Sequence, residues 1–321
     1  MPLRSKWQSL PTEAINRATL ALDKLSSAEI VEGMLTEDRK MLVAVQREKE
    51  RIAVGIDIIT QALRKSGRII FVGAGTSGRL GILEAAEMGP TFGTPDALVL
   101  AVMAGGKDGF LHAREGVEDN YEEGARSINR LKPTKKDVVI GVSASGMTQF
   151  VRGGLTRARR AGSKIIFVTC DPRTELQTFV DLTIAPAVGP EVIAGSTRLK
   201  AATATKLVLN MLTTGSMVRT GKTYGNLMVD IQAGSEMRRD RARRIVTTVT
   251  GLEPEEADKL LRRARWNVKA AIVMQKTKLA YPQAVTKLRK SHDFVRDAIG
   301  EDAEPRLRQL LDHHDVGPTR S

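Results

Sequence analysis

The chain has 321 residues, 41% of them apolar and 27% charged, which is close to ordinary globular composition. That excludes a collagenous, disordered or disulfide-stapled polypeptide, and the length suggests about two domains. Fifty Lys and Arg against 37 Asp and Glu give a net charge of +13, but aromatic residues at 4% offer few platforms for stacking bases, so the excess is read as a solvated face and no nucleic-acid partner is expected.

Residues 11–66 read as helical. Thr12 is expected to cap the stretch TEAINRATLALDKL, and a second stretch over 37–65 starts at Glu37 with Met41, Val45, Ile52, Ile56, Ile59 and Leu63 as its apolar stripe, stopped by Gly67. Strand and helix signals then alternate: GRIIFVGAG, a helix in SGRLGILEAAEM, ALVLAVMAGG, a polar-faced helix over 108–130, KDVVIGVSASG, a helix in TQFVRGGLTRARRAG, SKIIFVTC and DLTIAPAVG. Short apolar runs separated by helices predict a doubly wound α/β domain with a parallel five-stranded sheet. Residues 196–220 predict a long helix that is apolar on most faces and suits burial or a subunit interface. Short helices follow at 234–248, 254–264, 267–276, 281–289 and 292–299. The resulting division is an N-terminal helical segment (1–49), an α/β domain (50–233), a small helical domain (234–300) and a tail (301–321) that ends in HHDVGPTRS and is expected to fray.

Two loops carry the first chemical signal. Gly73-Ala74-Gly75-Thr76-Ser77-Gly78 follows a strand and opens a helix, where glycines admit an anion close to free backbone N–H groups and hydroxyls add donors. The glycines fit a dinucleotide pattern, yet the acidic residue expected after the second strand is missing. Ser143-Ala144-Ser145-Gly146-Met147-Thr148 holds the equivalent place after the third strand. Two hydroxyl-rich loops at strand ends suit a compact phosphorylated ligand. Carboxylates supply the second signal. Glu84 and Glu87 share a helix face, Glu115, Glu118, Asp119, Glu122 and Glu123 form an acidic run, and Glu191 lies in a loop before the apolar helix.

The stretches GAGTSGRLGILEAAE, AREGVED, GPEVIAGSTRLKAATATKLVLNML and GKTYGNLMVD resemble the N-acetylmuramic acid 6-phosphate etherases, sugar isomerase (SIS) domain enzymes of bacterial cell-wall recycling. The glucokinase regulatory protein shares the GPE…GSTR…K segment, and TGLEPEEADKLLRRARWNVKAAIVM looks like the ubiquitin-associated-like (UBA-like) helical module at this family's C-terminus. The resemblance implies a carbon–oxygen lyase that splits the D-lactyl ether of N-acetylmuramic acid 6-phosphate by elimination and then water addition. It places the proton donor on Glu87 and the second catalytic carboxylate on Glu118. Thr76, Ser77, Gly78, Ser143, Ser145, Thr148 and Glu191 are expected at the substrate. Burial among Ile82, Leu83, Ala85 and Ala86 is expected to keep Glu87 protonated. Two departures stand out: Met88-Gly89-Pro90 where relatives commonly carry Cys-Pro-Pro, and Met147 and Gln149 where many carry Arg and Pro, which removes a possible anion contact.

No cofactor is expected. One cysteine, Cys170, and four histidines leave no structural zinc pattern. No run of about 18 uncharged apolar residues predicts a membrane span, and the first residues lack the apolar core of a signal peptide, so a cytoplasmic location is expected. The apolar helix 196–220 and the resemblance to SIS-domain enzymes imply a homodimer acting on a sugar phosphate. Two other readings stay open: a non-catalytic sugar-phosphate regulator on the same fold, and an aldose–ketose isomerase with Glu191 as its base.

Overall fold

The structure, a computed structural model, describes residues 10–314. The helix expected from Thr12 is absent. Residues 11–24 form three 3-10 turns, Pro11–Glu13, Arg17–Thr19 and Leu22–Lys24. The side chain of Asn16 accepts from Ala18 N and restarts the chain locally, the competition by which Asn disfavours helix interiors. Thr12 is buried, and its hydroxyl has no partner among the described residues. The first long helix, α1 (Ser27–Arg47), begins at a capping box in which Ser26 Oγ accepts from Glu29 N while the Glu29 carboxylate accepts from Ser26 N. Glu37, expected to start a helix, lies buried inside α1. A break at Glu48 leads into α2 (Lys49–Arg64).

The central sheet follows: β1 (Ile69–Gly73), α3 (Gly75–Phe92), β2 (Val99–Met103), α4 (Gly106–Leu111), α5 (Tyr121–Arg130), β3 (Val138–Val142), α6 (Gln149–Arg160), β4 (Lys164–Val168), β5 (Leu182–Ile184) and α7 (Lys200–Val218). All five strands are parallel in the order β2-β1-β3-β4-β5, as the doubly wound pattern predicts. β1 and β3 are buried at every position, which explains their unbroken apolar runs. The polar stretch 108–130 is not one helix. Gly116 takes φ +78°, a 3-10 turn occupies Val117–Asp119, and Asn120 caps α5 by accepting from Glu123 N. Behind this turn α5 and α6 meet backbone to backbone: a Cβ on Gly153 would stand 1.9 Å from Tyr121 O, and one on Gly124 1.9 Å from Phe150 O.

The remaining elements are a hairpin of β6 (Thr223–Tyr224) and β7 (Leu227–Met228), then α8 (Glu236–Thr250), α9 (Pro254–Arg263), α10 (Val268–Thr277), α11 (Tyr281–Lys290), α12 (Val295–Ile299) and α13 (Glu304–His314). The five short helices lie close to the ranges read from the sequence. α13 occupies residues expected to fray, and the tail beyond 314 lies outside the described residues. Buried Ala242, Val246, Leu261, Val268, Ile272 and Ala284 knit α8 to α11. The arginine group of α8 is engaged locally: Arg239 stacks 5.3 Å from the Trp266 ring centroid, Arg243 pairs with Asp258 at 3.0 Å and Arg244 with Asp240 at 2.8 Å.

The described residues up to Ala86 form one unit with Asp96–Ser216, and Glu87–Pro95 form a second with the residues from Met217 onward. Among the described residues no helix is long and apolar enough to cross a membrane.

Candidate active site

The strand order reverses between β1 and β3, so the loops after these two strands leave the sheet in opposite directions and open a crevice at the strands' carboxyl ends, where ligands bind in open α/β sheets. A cavity of about 440 Å³ occupies that crevice. Thr76 and Ser77 line it from the first turn of α3, and Ser143, Ser145 and Thr148 from the loop after β3. Gly75 lines it too, with φ +53° and open space at its Cβ position, so a ligand can approach the backbone at the start of α3 without meeting a side chain there. Gly78 does not line the cavity. It packs α3 onto the sheet, where an added Cβ would meet Met103 at 2.6 Å and Gly73 O at 3.0 Å.

The second loop is prearranged. Ser143 is buried, and its hydroxyl lies 2.7 Å from that of Thr148. Thr148 holds the N-cap position of α6 without a side-chain capping bond, so its hydroxyl serves the loop. Gly146, at φ +72°, donates from N to Ser143 O at 3.1 Å and closes the turn.

Glu118 lines the same cavity from the 3-10 turn after Gly116, next to Glu115. Its carboxylate makes no hydrogen bond or ion pair among the described residues, unlike Glu123, whose carboxyl is held below the usual range chiefly by the Arg130 guanidinium. Arg79 is fixed by donating to Gly109 O at 2.8 Å and Phe110 O at 2.9 Å, and Arg114 pairs with Asp108 at 3.8 Å. Both arginines line the cavity, as do Thr197 and Thr205, which sequence reasoning did not single out. Leu10 and Glu13 also reach it. No local signal marked either, because their position depends on contacts with residues far along the chain.

Glu87, Glu84 and Glu191 stand elsewhere. Glu87 is exposed on α3 and does not line this cavity, as are Leu83 and Ala86 beside it, so the burial expected to protonate it is not present. Glu84 is buried and held by Asn210 and Thr213. Glu191 is fully buried, and its two oxygens accept from Lys200 N at 3.0 Å and Ala201 N at 2.9 Å. It caps α7 rather than facing the cavity. Burial raises its carboxyl above the ordinary range, against the lowering effect of those two N–H groups and the Lys200 charge. With both oxygens committed, Glu191 is not placed to act as an isomerase base. Cys170 is buried, and burial together with the nearby Glu191 charge pushes its thiol up to about 12, so it is no nucleophile. Among the described residues no group of His, Cys, Asp and Glu is arranged to hold a metal ion.

A second cavity of about 440 Å³ lies beyond the loop after β3, lined by Gly146, Met147, Gln149, Arg152, Arg173 and Thr174 among others. Two guanidinium groups thus stand near the position where the loop carries Met147.

Comparison with known proteins gives a consistent answer. Residues 51–159 match the family described as the glucokinase regulatory protein N-terminal SIS domain. Over 294 residues the chain is 44% identical to the N-acetylmuramic acid 6-phosphate etherase of Clostridium beijerinckii, covering 92% of this chain and 97% of that one. It is 45% identical over 295 residues to N-acetylmuramic acid 6-phosphate etherase 2 of Vibrio cholerae, covering 92% and 96%. It is 46% identical over 296 residues to the enzyme of that name from Rubrobacter xylanophilus, covering 92% and 98%.

Proposed function

The chain belongs to the N-acetylmuramic acid 6-phosphate etherase family, and we propose that it splits the D-lactyl ether of N-acetylmuramic acid 6-phosphate, yielding N-acetylglucosamine 6-phosphate and D-lactate. The observation that carries this reading is the pairing of two hydroxyl-lined anion loops with the unpartnered Glu118 on one cavity wall. An alkoxide is a poor leaving group, so the reaction needs an acidic carbon beside the ether. The open-chain sugar supplies it, because the C1 aldehyde acidifies the proton at C2. Glu118 takes that proton as general base. The C3–O bond then breaks as the lactyl oxygen receives a proton, leaving a C2=C3 double bond conjugated to the aldehyde. Water adds at C3, the proton returns to C2, and the sugar regains a C3 hydroxyl.

The phosphate is held at the start of α3 and by Ser143, Ser145 and Thr148, far from the reacting bonds, so it orients the sugar. Glu87 is the acid that protonates the departing lactyl oxygen. From Gly75 to Glu87 the helix rises roughly 18 Å, longer than one sugar phosphate seated at its start, so a second copy of the chain completes the site. Exposed Val31, Leu35 and Leu42 on α1, Val54 on α2 and Leu83 on α3 supply apolar surface for a homodimer. A phosphorylated amino sugar as substrate, and a single buried thiol, fit a cytoplasmic enzyme of peptidoglycan recycling.

The direct test is incubation with N-acetylmuramic acid 6-phosphate followed by measurement of D-lactate. Stoichiometric lactate and N-acetylglucosamine 6-phosphate are expected. Binding without lactate release would leave a non-catalytic regulator in its place. Light scattering at micromolar concentration should give a dimer, and a fully active monomer would refute the shared site.

A further inference from the structure

Residues 10–19 run as a strap along the loop that precedes α7. Gly195 N donates to Thr12 O at 3.0 Å, the Asn16 side-chain amide donates to Pro190 O at 3.4 Å, and the Thr19 hydroxyl donates to Val192 O at 2.9 Å. These bonds join positions more than 170 residues apart in sequence. The strap places Leu10 and Glu13 on the wall of the cavity that holds the two anion loops and Glu118. Leu10 is buried there and also borders the second cavity.

The placement of Glu13 is built into the fold. Gly195 has φ +76°, and a Cβ on it would come within 2.8 Å of Glu13 Oε2, so a glycine at this turn leaves room for the carboxylate. The Glu13 carboxylate makes no hydrogen bond or ion pair among the described residues. Pro11 N-terminal to it and the 3-10 turn Pro11–Glu13 fix the backbone that carries it.

An ionised carboxylate accepts hydrogen bonds and donates none. On the wall of a cavity whose loops take a phosphate, it favours neutral donors, which on an amino-sugar phosphate are the hydroxyls and the acetamido N–H, while anionic groups of the ligand lie toward the loops and the arginines Arg79 and Arg114. Resting on the reading of this cavity as a sugar-phosphate site, we infer that Glu13 binds substrate directly, accepting hydrogen bonds from hydroxyl or N–H groups of the sugar, and that the N-terminal strap is a wall of the active site. Glu13 thereby selects the sugar, while the two loops select the phosphate.

The test separates sugar recognition from phosphate recognition. Affinities of Glu13→Gln for N-acetylglucosamine 6-phosphate and for inorganic phosphate are measured by calorimetry, with lactate release from the etherase substrate in parallel. The expected result is about a 10- to 100-fold loss of affinity for the sugar phosphate, the range of a charge-assisted hydrogen bond, with inorganic phosphate binding unchanged. Glu13→Asp, which keeps the charge on a shorter arm, should lose less and serves as the second measurement should the Gln variant fold poorly. Asp23→Asn, exposed outside the cavity, should match the wild type. Unchanged sugar-phosphate affinity would overturn the inference, as would equal losses for both ligands, which would mean that the strap acts only through the fold. If the wild type binds the sugar phosphate but releases no lactate, the etherase reading fails while the role of Glu13 is still measured.

Discussion

Glu84 on α3 and Asn210 on α7 are joined by a hydrogen bond of 2.7 Å, donated by the Asn210 amide to Glu84 Oε2, and the Thr213 hydroxyl donates to the other carboxylate oxygen. Glu84 is 4% exposed. The acid one helical turn before Glu87 is therefore a structural tie between two helices. Glu84→Ala removes the acceptor and leaves the Asn210 amide short of a partner, which should cost about 1–3 kcal/mol. Denaturant titration should show the loss in midpoint. Lactate release per folded molecule should stay within a few-fold of the wild type, and abolished turnover in a folded protein would return Glu84 to the chemistry.

A buried ion pair offers a second prediction. Lys200 Nζ lies 2.6 Å from Glu37 Oε2, with the two side chains 1% and 4% exposed. Burial alone would raise the Glu37 carboxyl, but hydrogen bonds from Lys200, Lys40 and Asn16 outweigh it and bring it down to about 2 from 4.5. A depressed carboxylate contributes stability that is present above its unfolded value and is lost as pH falls through its folded one. The contribution, about 3 kcal/mol, should therefore disappear between pH 4.5 and about 2. Glu37→Gln should flatten that part of the stability profile. Lys200→Met, which strands a buried carboxylate, should cost about 3–5 kcal/mol at neutral pH, less whatever the exposed Lys40 recovers.

The loop after β3 makes a third. Thr148→Val keeps the shape of the residue at the start of α6 and removes the hydroxyl that meets Ser143 Oγ at 2.7 Å. Because that hydroxyl makes no helix-capping bond, the variant should lose only the contact with buried Ser143, about 1 kcal/mol and a small fall in melting temperature. Its kcat/KM should fall about 10- to 100-fold, with inhibition by inorganic phosphate weakened in parallel. A fall in melting temperature with unchanged phosphate inhibition would give Thr148 a structural role only.

The parts of this site that were legible in the sequence are those written in local chemistry. Gly73 to Ser77 and Ser143 to Thr148 follow buried strands whose unbroken apolar runs mark a parallel sheet, so the sequence alone puts both loops at strand ends. Residues whose meaning depends on distant partners were not legible. The spacing of Glu84 and Glu87 is the same in either assignment, and only Asn210 and Thr213 show which one is tied down. Glu191 sits in a loop and looked available, yet its oxygens face the N-terminus of α7. Residues 11–24 carry helical spacing, but Pro11 and Asn16 break the run into turns, and the bonds to Pro190 and Val192 tie it to the loop before α7, with Glu13 at the cavity. Gly116, with its positive φ, divides the acidic stretch so that Glu118 lies in a 3-10 turn on the cavity wall, outside α5.

The sharpest prediction concerns the division of labour between Glu118 and Glu87. Glu118 lines the anion cavity without a partner among the described residues, whereas Glu87 is exposed on α3. If Glu118 removes the C2 proton and Glu87 protonates the lactyl oxygen, the two steps separate by mutation. Glu87→Gln should lose lactate release by at least the ~10²–10⁴-fold typical of a missing general acid, yet still exchange the C2 proton with deuterium from solvent, followed by NMR. Glu118→Gln should lose exchange and cleavage together. Equal loss of both steps in Glu87→Gln would make Glu87 the base and reverse the assignment. Under the proposal that a second copy of the chain completes each site, mixing the two inactive variants tests the geometry as well. Where the two carboxylates of one site come from different subunits, a mixed dimer carries both lesions in one site and neither in the other. Subunit exchange should then restore about a quarter of the wild-type lactate release, since about half the dimers are mixed and half their sites intact. No recovery in a preparation shown to contain mixed dimers would place Glu87 and Glu118 of one chain in the same site, and would require α3 and the turn after Gly116 to approach each other when substrate binds.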